Sequence, residues 1–270
     1  MLFLLSILFW FLLYKLLNSV SFCGKDSPEW NCRLVTLLHG VFCLFSTAMS
    51  TLVFGPWPFT DQGGLNTPLE NFIVIVCLGY FLFDFAWCLI QPSKESRVMF
   101  IHHLISIASL AYVLYTEHSG TELMGTIFGA EASNPFLQIR WFLKELGLKE
   151  TKLYEVNNIV FVLVFFIFRI ILGSHLLITT LLHPKPTLII KVGGIGLYLV
   201  GWIFMYDIAL YMRHFFGSKA KRKQSQSDAA IDINPNAAEE KLQSSEIMES
   251  STYKNGMNVR NGIVHAIAMS

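Results

Sequence analysis

Seven long apolar stretches recur along the first 215 residues and constrain the fold more than any other feature of the sequence. A helix that crosses a membrane needs about 20 apolar residues, with a range of about 17–25. The stretches cover residues 1–17, 34–54, 72–90, 98–116, 121–140, 156–182 and 188–215. Charged residues make up 14% of the chain, against about 25% in an average soluble domain. We therefore predict an all-α, multi-pass integral membrane protein with seven transmembrane helices.

Composition divides the chain into three segments. Residues 1–29 hold the first apolar stretch and a loop. Because no basic residues precede this stretch, we expect a retained anchor helix rather than a cleaved signal peptide. Residues 30–216 form the predicted transmembrane domain. Ser, Gln, Asn, Lys and Glu dominate residues 217–270, and this composition predicts a disordered cytosolic tail, since little apolar area offsets the chain entropy.

The Lys and Arg residues of the loops predict the orientation. Cytosolic loops carry an excess of these residues. Seven spans with the N-terminus outside place nine connecting charges inside and two outside. We therefore predict a luminal or outside N-terminus and a cytosolic C-terminus. The fifth stretch is the least apolar, because it contains Glu131, Asn134 and Pro135.

Several classes of protein are excluded by charge and by residue spacing. The net charge of +1 gives no electrostatic basis for a nucleic-acid partner. The five Cys residues are scattered and form no CxxC, so we interpret them as packing residues and not as a disulfide framework. The His residues lack the repeated HxxxH boxes of membrane di-iron oxygenases, so the sequence predicts no metal ligands.

Ionisable residues within the apolar stretches are the candidate site residues. They are Asp84, His102, His103, Glu131, Arg169 and Asp207. A charge facing lipid at a helix centre costs about 2.5–3.5 kcal/mol, so these side chains are expected to face the bundle interior. At about 1.5 Å of rise per residue, the acidic residues, Asn134 and the His pair lie in the cytosolic half of the bundle. The sequence therefore predicts a shared polar cavity.

The adjacent His102 and His103 are the predicted catalytic residues, together with Asp84. A His can serve as a general base near pH 7 or as an acyl carrier. A nearby carboxylate such as Asp84 would fix the tautomer of the imidazole. A structural pair that hydrogen-bonds between helices is the alternative. Ser106 lies one turn further along the same helix face.

Arg169 lies in the middle of the sixth stretch and has two interpretations. It forms an ion pair with Glu131, Asp84 or Asp207, or it clamps a phosphate or carboxylate of a lipid or a thioester cofactor. The predicted substrate-binding residues are Arg169, Glu131, Asn134, Asp207 and Ser106. In the last stretch, Gly193-Gly194-x-Gly196 predicts close helix packing. No strand precedes it, so it is not a dinucleotide fingerprint.

With these residues in place, the chain resembles the TLC-domain (TRAM/Lag/CLN) family, and most closely its small TLC domain-containing proteins. The resemblance runs from about Trp30 to Phe216. It is carried by Asp84, His102-His103, the stretch from Glu131 to Phe142, and Phe168-Arg169. It implies seven helices, six of which ring a polar, lipid-accessible cavity. It also implies residence in the endoplasmic reticulum or another cell membrane.

The resemblance further implies a chemistry. In the ceramide synthases of this family, the double His is the catalytic centre for N-acyl transfer from acyl-CoA. If the same roles apply to this chain, His102 or His103 would be the base or the acyl carrier, and Asp84 would assist it. Acyl-CoA would be a co-substrate, and no bound cofactor is implied. The spaced acidic residues that follow the His pair in ceramide synthases are not evident here, so ceramide synthesis itself is not predicted.

Three functions remain open from the sequence. The first is an acyl-CoA-dependent lipid acyltransferase of lipid metabolism. The second is a non-catalytic protein that binds lipids or regulates membrane lipid composition. The third is a proton-coupled transporter that uses the His and Asp residues as a relay. Membrane lipids are the expected partners in the first two, and the sequence assigns no oligomeric state.

Overall fold

The computed structural model describes residues 1–19, 27–91 and 97–233, and these ranges hold helices and loops with no strand longer than one isolated bridge. The helices are α1 (Leu2–Ser19), α2 (Pro28–Met49), α3 (Pro68–Ile90), α4 (Arg97–Thr116), α5 (Gly120–Glu131), α6 (Asn134–Glu145), α7 (Lys152–Phe165), α8 (Gly173–Leu182) and α9 (Leu188–Ile233). A π-helical segment, Ser50–Phe54, extends α2, and another, Phe166–Leu172, joins α7 to α8. The chain divides into two compact units, Met1–Ile208 and Ala209–Ser270.

Six helical segments are long and apolar enough to cross a membrane. They are Leu2–Ser19, Pro28–Phe54, Pro68–Ile90, Arg97–Thr116, Lys152–Leu182 and Leu188–Gln226. Their large apolar side chains face outward in many places, as at Leu4, Phe45 and Ile90, which are 68%, 68% and 70% exposed. Soluble proteins rarely expose contiguous apolar surface of this extent. The prediction of an all-α, multi-pass membrane protein is confirmed.

The fifth predicted span is divided into two helices of 12 residues each, α5 and α6. Each is about 18 Å long, whereas the hydrocarbon core is about 30 Å thick. Pro135 explains the break. It has no N–H to donate to the carbonyl of Glu131 four residues earlier, and its ring clashes with that carbonyl in a continuous helix. α5 accordingly ends at Glu131 and α6 begins at Asn134.

The helices of the first unit pack around a common interior. α2 packs between α3 on one side and α5 with α6 on the other, α4 packs on α3, and α7 packs on α6. The Ser174 hydroxyl lies 2.6 Å from the Tyr198 hydroxyl, which joins α8 to α9. The α9 ring of Phe204 meets that of His102 on α4 at a centroid distance of 5.9 Å. α2, α3, α4, the α5–α6 pair, the α7–α8 pair and the first part of α9 therefore form a closed ring.

The glycines of α9 lie where that helix approaches α4. A Cβ added at Gly193 would lie 2.9 Å from Ser109 Oγ, and one at Gly196 would lie 3.2 Å from Ile105 Cδ1. Larger side chains at these two positions would push the helices apart. Two of the three glycines of the motif therefore leave room for side chains of α4.

α1 stands outside the ring and packs mainly on α3. The Ser6 hydroxyl and the Trp10 indole N–H both donate to the carbonyl oxygen of Val76, at 3.3 and 3.1 Å. A Cβ on Gly79 would overlap the Ser6 side chain. The absent side chain at Gly79 therefore lets α1 approach α3 closely enough to make these hydrogen bonds.

The C-terminal segment differs in part from the sequence-based expectation. α9 continues through residues 217–233, where the sequence predicts a disordered tail. Lys, Arg, Gln and Ala, which have high helix propensity, recur in this segment and favour continuation of the helix. The rest of the predicted tail, residues 234–270, lies outside the described residues. So does Cys23, whereas Cys32, Cys43, Cys77 and Cys88 are buried thiols outside any disulfide, as packing residues would be.

Candidate functional site

Asp84 and His103 are in direct contact between α3 and α4. Nε2 of His103 lies 2.9 Å from Oδ2 of Asp84, and His103 is 3% exposed. The other carboxylate oxygen, Oδ1, lies 3.9 Å from the Cys32 thiol sulfur on α2. The structure therefore brings together two of the three predicted catalytic residues. Cys32 was not anticipated, because a single Cys just before the second apolar stretch carries no sequence signal.

The side chain of His102 points in a different direction from that of His103. Its ring centroid is 5.8 Å from that of His103 and 6.2 Å from that of Phe81. Among the described residues, the Nδ1 atoms of both imidazoles are buried without a hydrogen-bond partner. Asp84 therefore holds His103 through Nε2, whereas no described side chain holds His102 through a hydrogen bond.

Two cavities lie within the helix ring. The first has a volume of about 250 Å³, is lined largely by apolar side chains of α4, α5, α8 and α9, and includes Ser106. The second has a volume of about 280 Å³. Its lining includes the predicted site residues Asp84, His102, His103, Glu131, Asn134, Arg169 and Asp207. Five residues line both cavities and define what we call the junction: Phe81, His102, Ala130, Glu131 and Arg169.

A chain of polar side chains runs from the junction along the second cavity. Asn134 donates to Glu131 Oε2 at 2.7 Å, and Gln138 donates to Asn134 Oδ1 at 2.8 Å. Arg33 on α2 then donates to Gln138 Oε1 at 3.4 Å and lies 3.5 Å from Glu29. Gln138 and Arg33 were not predicted as site residues. The i, i+4 spacing of Asn134 and Gln138 on α6 was the available signal.

Arg169 lies in the π-helical segment between α7 and α8. Its Nη2 donates to the Ala130 carbonyl at 3.1 Å, and its guanidinium carbon lies 5.5 Å from the centre of the Phe165 ring. Ala130 is in the last turn of α5, where carbonyls lack intrahelical partners. Within the described ranges, no carboxylate lies within 4.0 Å of Arg169. Arg169 therefore makes no direct ion pair at this distance, and both interpretations of Arg169 remain predictions.

Two predicted residues lie apart from the Asp84–His103 contact. Ser106 is buried and lines only the first cavity. Asp207 is exposed and lines only the second cavity. The predicted depths of Ser106 and Asp207 along their helices are both close to that of the His pair. Depth alone therefore did not show that the two residues line different cavities.

Two groups of side chains place metal-ligand atoms within 4.8 Å of one another. One is Asp84, Cys88 and His103, and the other is His39, Cys43 and Cys77. The sequence predicted no metal ligands, because its His residues form no metal-binding motif of fixed spacing. In each group the structure combines two residues spaced i, i+4 on one helix with a third from the neighbouring helix, and sequence spacing does not reveal that third member.

Comparison with known proteins identifies the family of the chain. The family model of the TLC domain matches residues 29–216. TLC domain-containing protein 4 of Homo sapiens is 31% identical over 160 residues, which are 57% of each chain. TLC domain-containing protein 1 of Gallus gallus is 27% identical over 190 residues, which are 68% of this chain and 70% of the relative. The chain matches somewhat more than half the length of the first of these relatives. This chain belongs to the TLC domain family of membrane proteins, which are linked to lipid biology.

Proposed function

We propose that the chain is an acyl-CoA-dependent lipid acyltransferase whose reaction centre is the intramembrane His pair. The observation that carries the proposal is the contact of 2.9 Å between His103 and Asp84 in the wall of the second cavity. A carboxylate on one nitrogen of an imidazole fixes the tautomer and orientation of the ring and stabilises the imidazolium. Acyl transfer requires a base with these properties.

His102 is the residue that we assign to the reacting atoms, because its ring lines both cavities. It removes the proton from a hydroxyl or amine of the acceptor lipid as that group attacks the thioester carbonyl. The carbon–sulfur bond then breaks, and the proton passes to the departing thiolate of CoA. The products are an acylated lipid and the CoA thiol. Asp84 orients His103, and the His103 ring packs beside the His102 ring at a centroid distance of 5.8 Å, so Asp84 and His103 act as positioning residues.

The two cavities suit the two parts of the substrates. The first cavity, with its apolar lining, suits an acyl chain, and the second, with its polar chain of side chains, suits a head group or the polar end of CoA. Arg169 lies at the junction between them and is a planar cation that fits a phosphate or carboxylate in a bidentate manner. We assign to Arg169 the binding of an anionic group of the substrate.

A second candidate function is lipid binding without catalysis, as in a regulator of membrane lipid composition. The buried, unpartnered Nδ1 atoms of both imidazoles favour this candidate, because a general base needs an accessible nitrogen. In this case the cavities would hold a lipid and the His pair would serve packing between α3 and α4.

A reconstituted assay separates the two candidates. The full chain is purified into lipid nanodiscs and given acyl-CoA with a radiolabelled acyl group, and both release of CoA thiol and labelled lipid are measured. We expect turnover by the wild type and loss of turnover in His102→Ala and Asp84→Asn. His118→Ala is the matched control, because His118 is exposed on the α4–α5 connection. Lipid retained by the wild type without release of CoA would support the second candidate.

We place the protein in the endoplasmic reticulum, with its N-terminus in the lumen and its C-terminus in the cytosol. This orientation requires the α5–α6 pair to cross the membrane together as the fifth span, and the distribution of Lys and Arg among the loops then supports it. The test uses terminal epitope tags in cells whose plasma membrane alone is permeabilised. Antibody access to the C-terminal tag and not to the N-terminal tag is the expected result, and the reverse pattern would overturn the orientation.

A further inference from the structure

His39, Cys43 and Cys77 form a cluster between α2 and α3 that belongs to neither cavity. We call it the thiol cluster. Nε2 of His39 lies 3.2 Å from Cys43 Sγ, and Cys43 Sγ lies 3.3 Å from Cys77 Sγ. His39 and Cys43 are one turn apart on α2, so their side chains share a face. Three groups that ligate soft metals thus meet at one point.

The thiol cluster is fully enclosed. All three residues are 0% exposed. The His39 ring stacks on Tyr80, with centroids 3.6 Å apart, and the rings of Trp10 and Phe81 meet its other sides edge-on. Apolar walls of this kind keep water out.

The enclosure of His39 requires a compensating interaction. Its Nδ1 is buried with no partner in the described part of the chain, and its Nε2 meets only a thiol, which is a weak hydrogen-bonding group. Burying a polar ring with so few hydrogen bonds is unfavourable. A bond from Nε2 to a metal ion would offset that cost.

We propose that the thiol cluster binds one thiophilic metal ion, with the two Cys sulfurs and His39 Nε2 as ligands. Bonds of about 2.3 Å to sulfur and about 2.0–2.1 Å to nitrogen place tetrahedral ligand atoms about 3.5–3.8 Å apart. The two observed separations, 3.2 and 3.3 Å, are a few tenths of an ångström shorter. The ligand atoms therefore need to move outward only slightly to hold an ion.

Two ions have the required chemistry. Thiolate and imidazole ligands select Zn²⁺ and Cu⁺. Two thiolates neutralise the charge of Zn²⁺, but a structural Zn²⁺ site has four ligands and the thiol cluster supplies three. Cu⁺ is the softer ion, and two sulfurs with one imidazole form a soft ligand set. Metal analysis of the purified protein distinguishes the two ions.

The bound ion would fasten α2 to α3. Tyr80, which stacks on His39, also donates its hydroxyl hydrogen to Thr36 on α2 at 3.0 Å. Asp84 lies one turn beyond Tyr80 on α3. The role of the ion is therefore structural, and it stands independently of the proposed acyl transfer.

The experiment measures metal on the full chain, purified in detergent without chelators and after reconstitution with Zn²⁺ or Cu⁺ under anaerobic conditions. Elemental analysis of the wild type should give one ion per chain. Cys43→Ser and Cys77→Ser should lose most of that ion. Cys88→Ser is the matched control, because Cys88 is also buried but belongs to the other group, with Asp84 and His103. Loss of the ion in Cys88→Ser with retention in Cys77→Ser would overturn the proposal.

X-ray absorption at the metal edge of the wild type gives a test that does not depend on the folding of variants. The thiol cluster predicts two sulfur ligands and one imidazole nitrogen. The group of Asp84, Cys88 and His103 would give one sulfur with nitrogen and oxygen. A spectrum with one sulfur, or wild-type protein that keeps no metal after reconstitution with either ion, would also overturn the proposal.

Discussion

Nε2 of His103 lies 2.9 Å from Oδ2 of Asp84 and joins α4 to α3 at the second cavity. The two residues are 19 positions apart, on two consecutive helices. Because Asp84 engages Nε2, any nitrogen of His103 that reacts must be Nδ1, which is buried. The contact with Asp84 therefore fixes the orientation of the His103 ring. His102 is the member of the pair whose ring lines both cavities.

Asp84→Asn should remove the charge and keep the size of the side chain. We expect acyl transfer to fall by about 10²-fold or more, because a positioned acid or base contributes about 10²–10⁴-fold. The melting temperature should also fall, since a hydrogen bond to a charged group contributes about 1.5–3 kcal/mol. CoA release and a thermal shift in detergent measure the two effects. Glu117→Gln is the control, at an exposed carboxylate, and full activity of Asp84→Asn would contradict the assignment.

Arg169→Met should change the binding of anionic lipid without lowering the thermal stability of the protein. The guanidinium has no carboxylate within 4.0 Å in the described part of the chain. Burying a charge without an ion-pair partner is costly, and an apolar side chain at the same position does not carry that cost. We therefore expect an unchanged or higher melting temperature together with loss of anionic-lipid binding, as measured by native mass spectrometry. A large drop in melting temperature with intact binding would show that Arg169 is structural.

Gly79→Ala should weaken the docking of α1 on α3. The new Cβ would overlap the Ser6 side chain, so the melting temperature should fall even though Ala favours a helix by about 1 kcal/mol over Gly. The matched control is Gly201→Ala, where an added Cβ meets nothing within 4 Å and stability should hold or rise. The double variant Ser6→Gly with Gly79→Ala should recover part of the loss. No recovery would show that the overlap with Ser6 is not the cause.

Pro135→Ala should restore the missing N–H between α5 and α6. The helix is then free to continue from Glu131 into α6, because both the lost donor and the ring clash are gone. We expect slower hydrogen exchange across residues 131–136 and loss of the hydrogen bond of 2.7 Å between Asn134 and Glu131. Turnover should fall, since the junction changes shape. Unchanged exchange would mean that tertiary packing, and not Pro135, keeps the helices apart.

The sequence alone predicted the helical type of the fold and the approximate position of the spans, although not the division of the fifth span at Pro135, and it identified the ionisable side chains that line the second cavity. Apolar length is a local property, so a stretch such as residues 72–90 indicates a membrane helix without knowledge of its neighbours. The cost of burying charge in lipid is also local, and it correctly predicted that Asp84 and Arg169 face the interior.

The tertiary structure decided which of these residues meet. Successive residues on a helix point about 100° apart, so a small rotation of α4 or α9 changes which side chain faces a given neighbour. For this reason the sequence predicted an ion pair as one role for Arg169, whereas the structure gives it a carbonyl and an aromatic ring. The approach of Cys77 to His39 and Cys43 likewise depends on the packing of α3 against α2. Position along the chain sets the depth of a residue in the bundle, and only helix packing sets its partners.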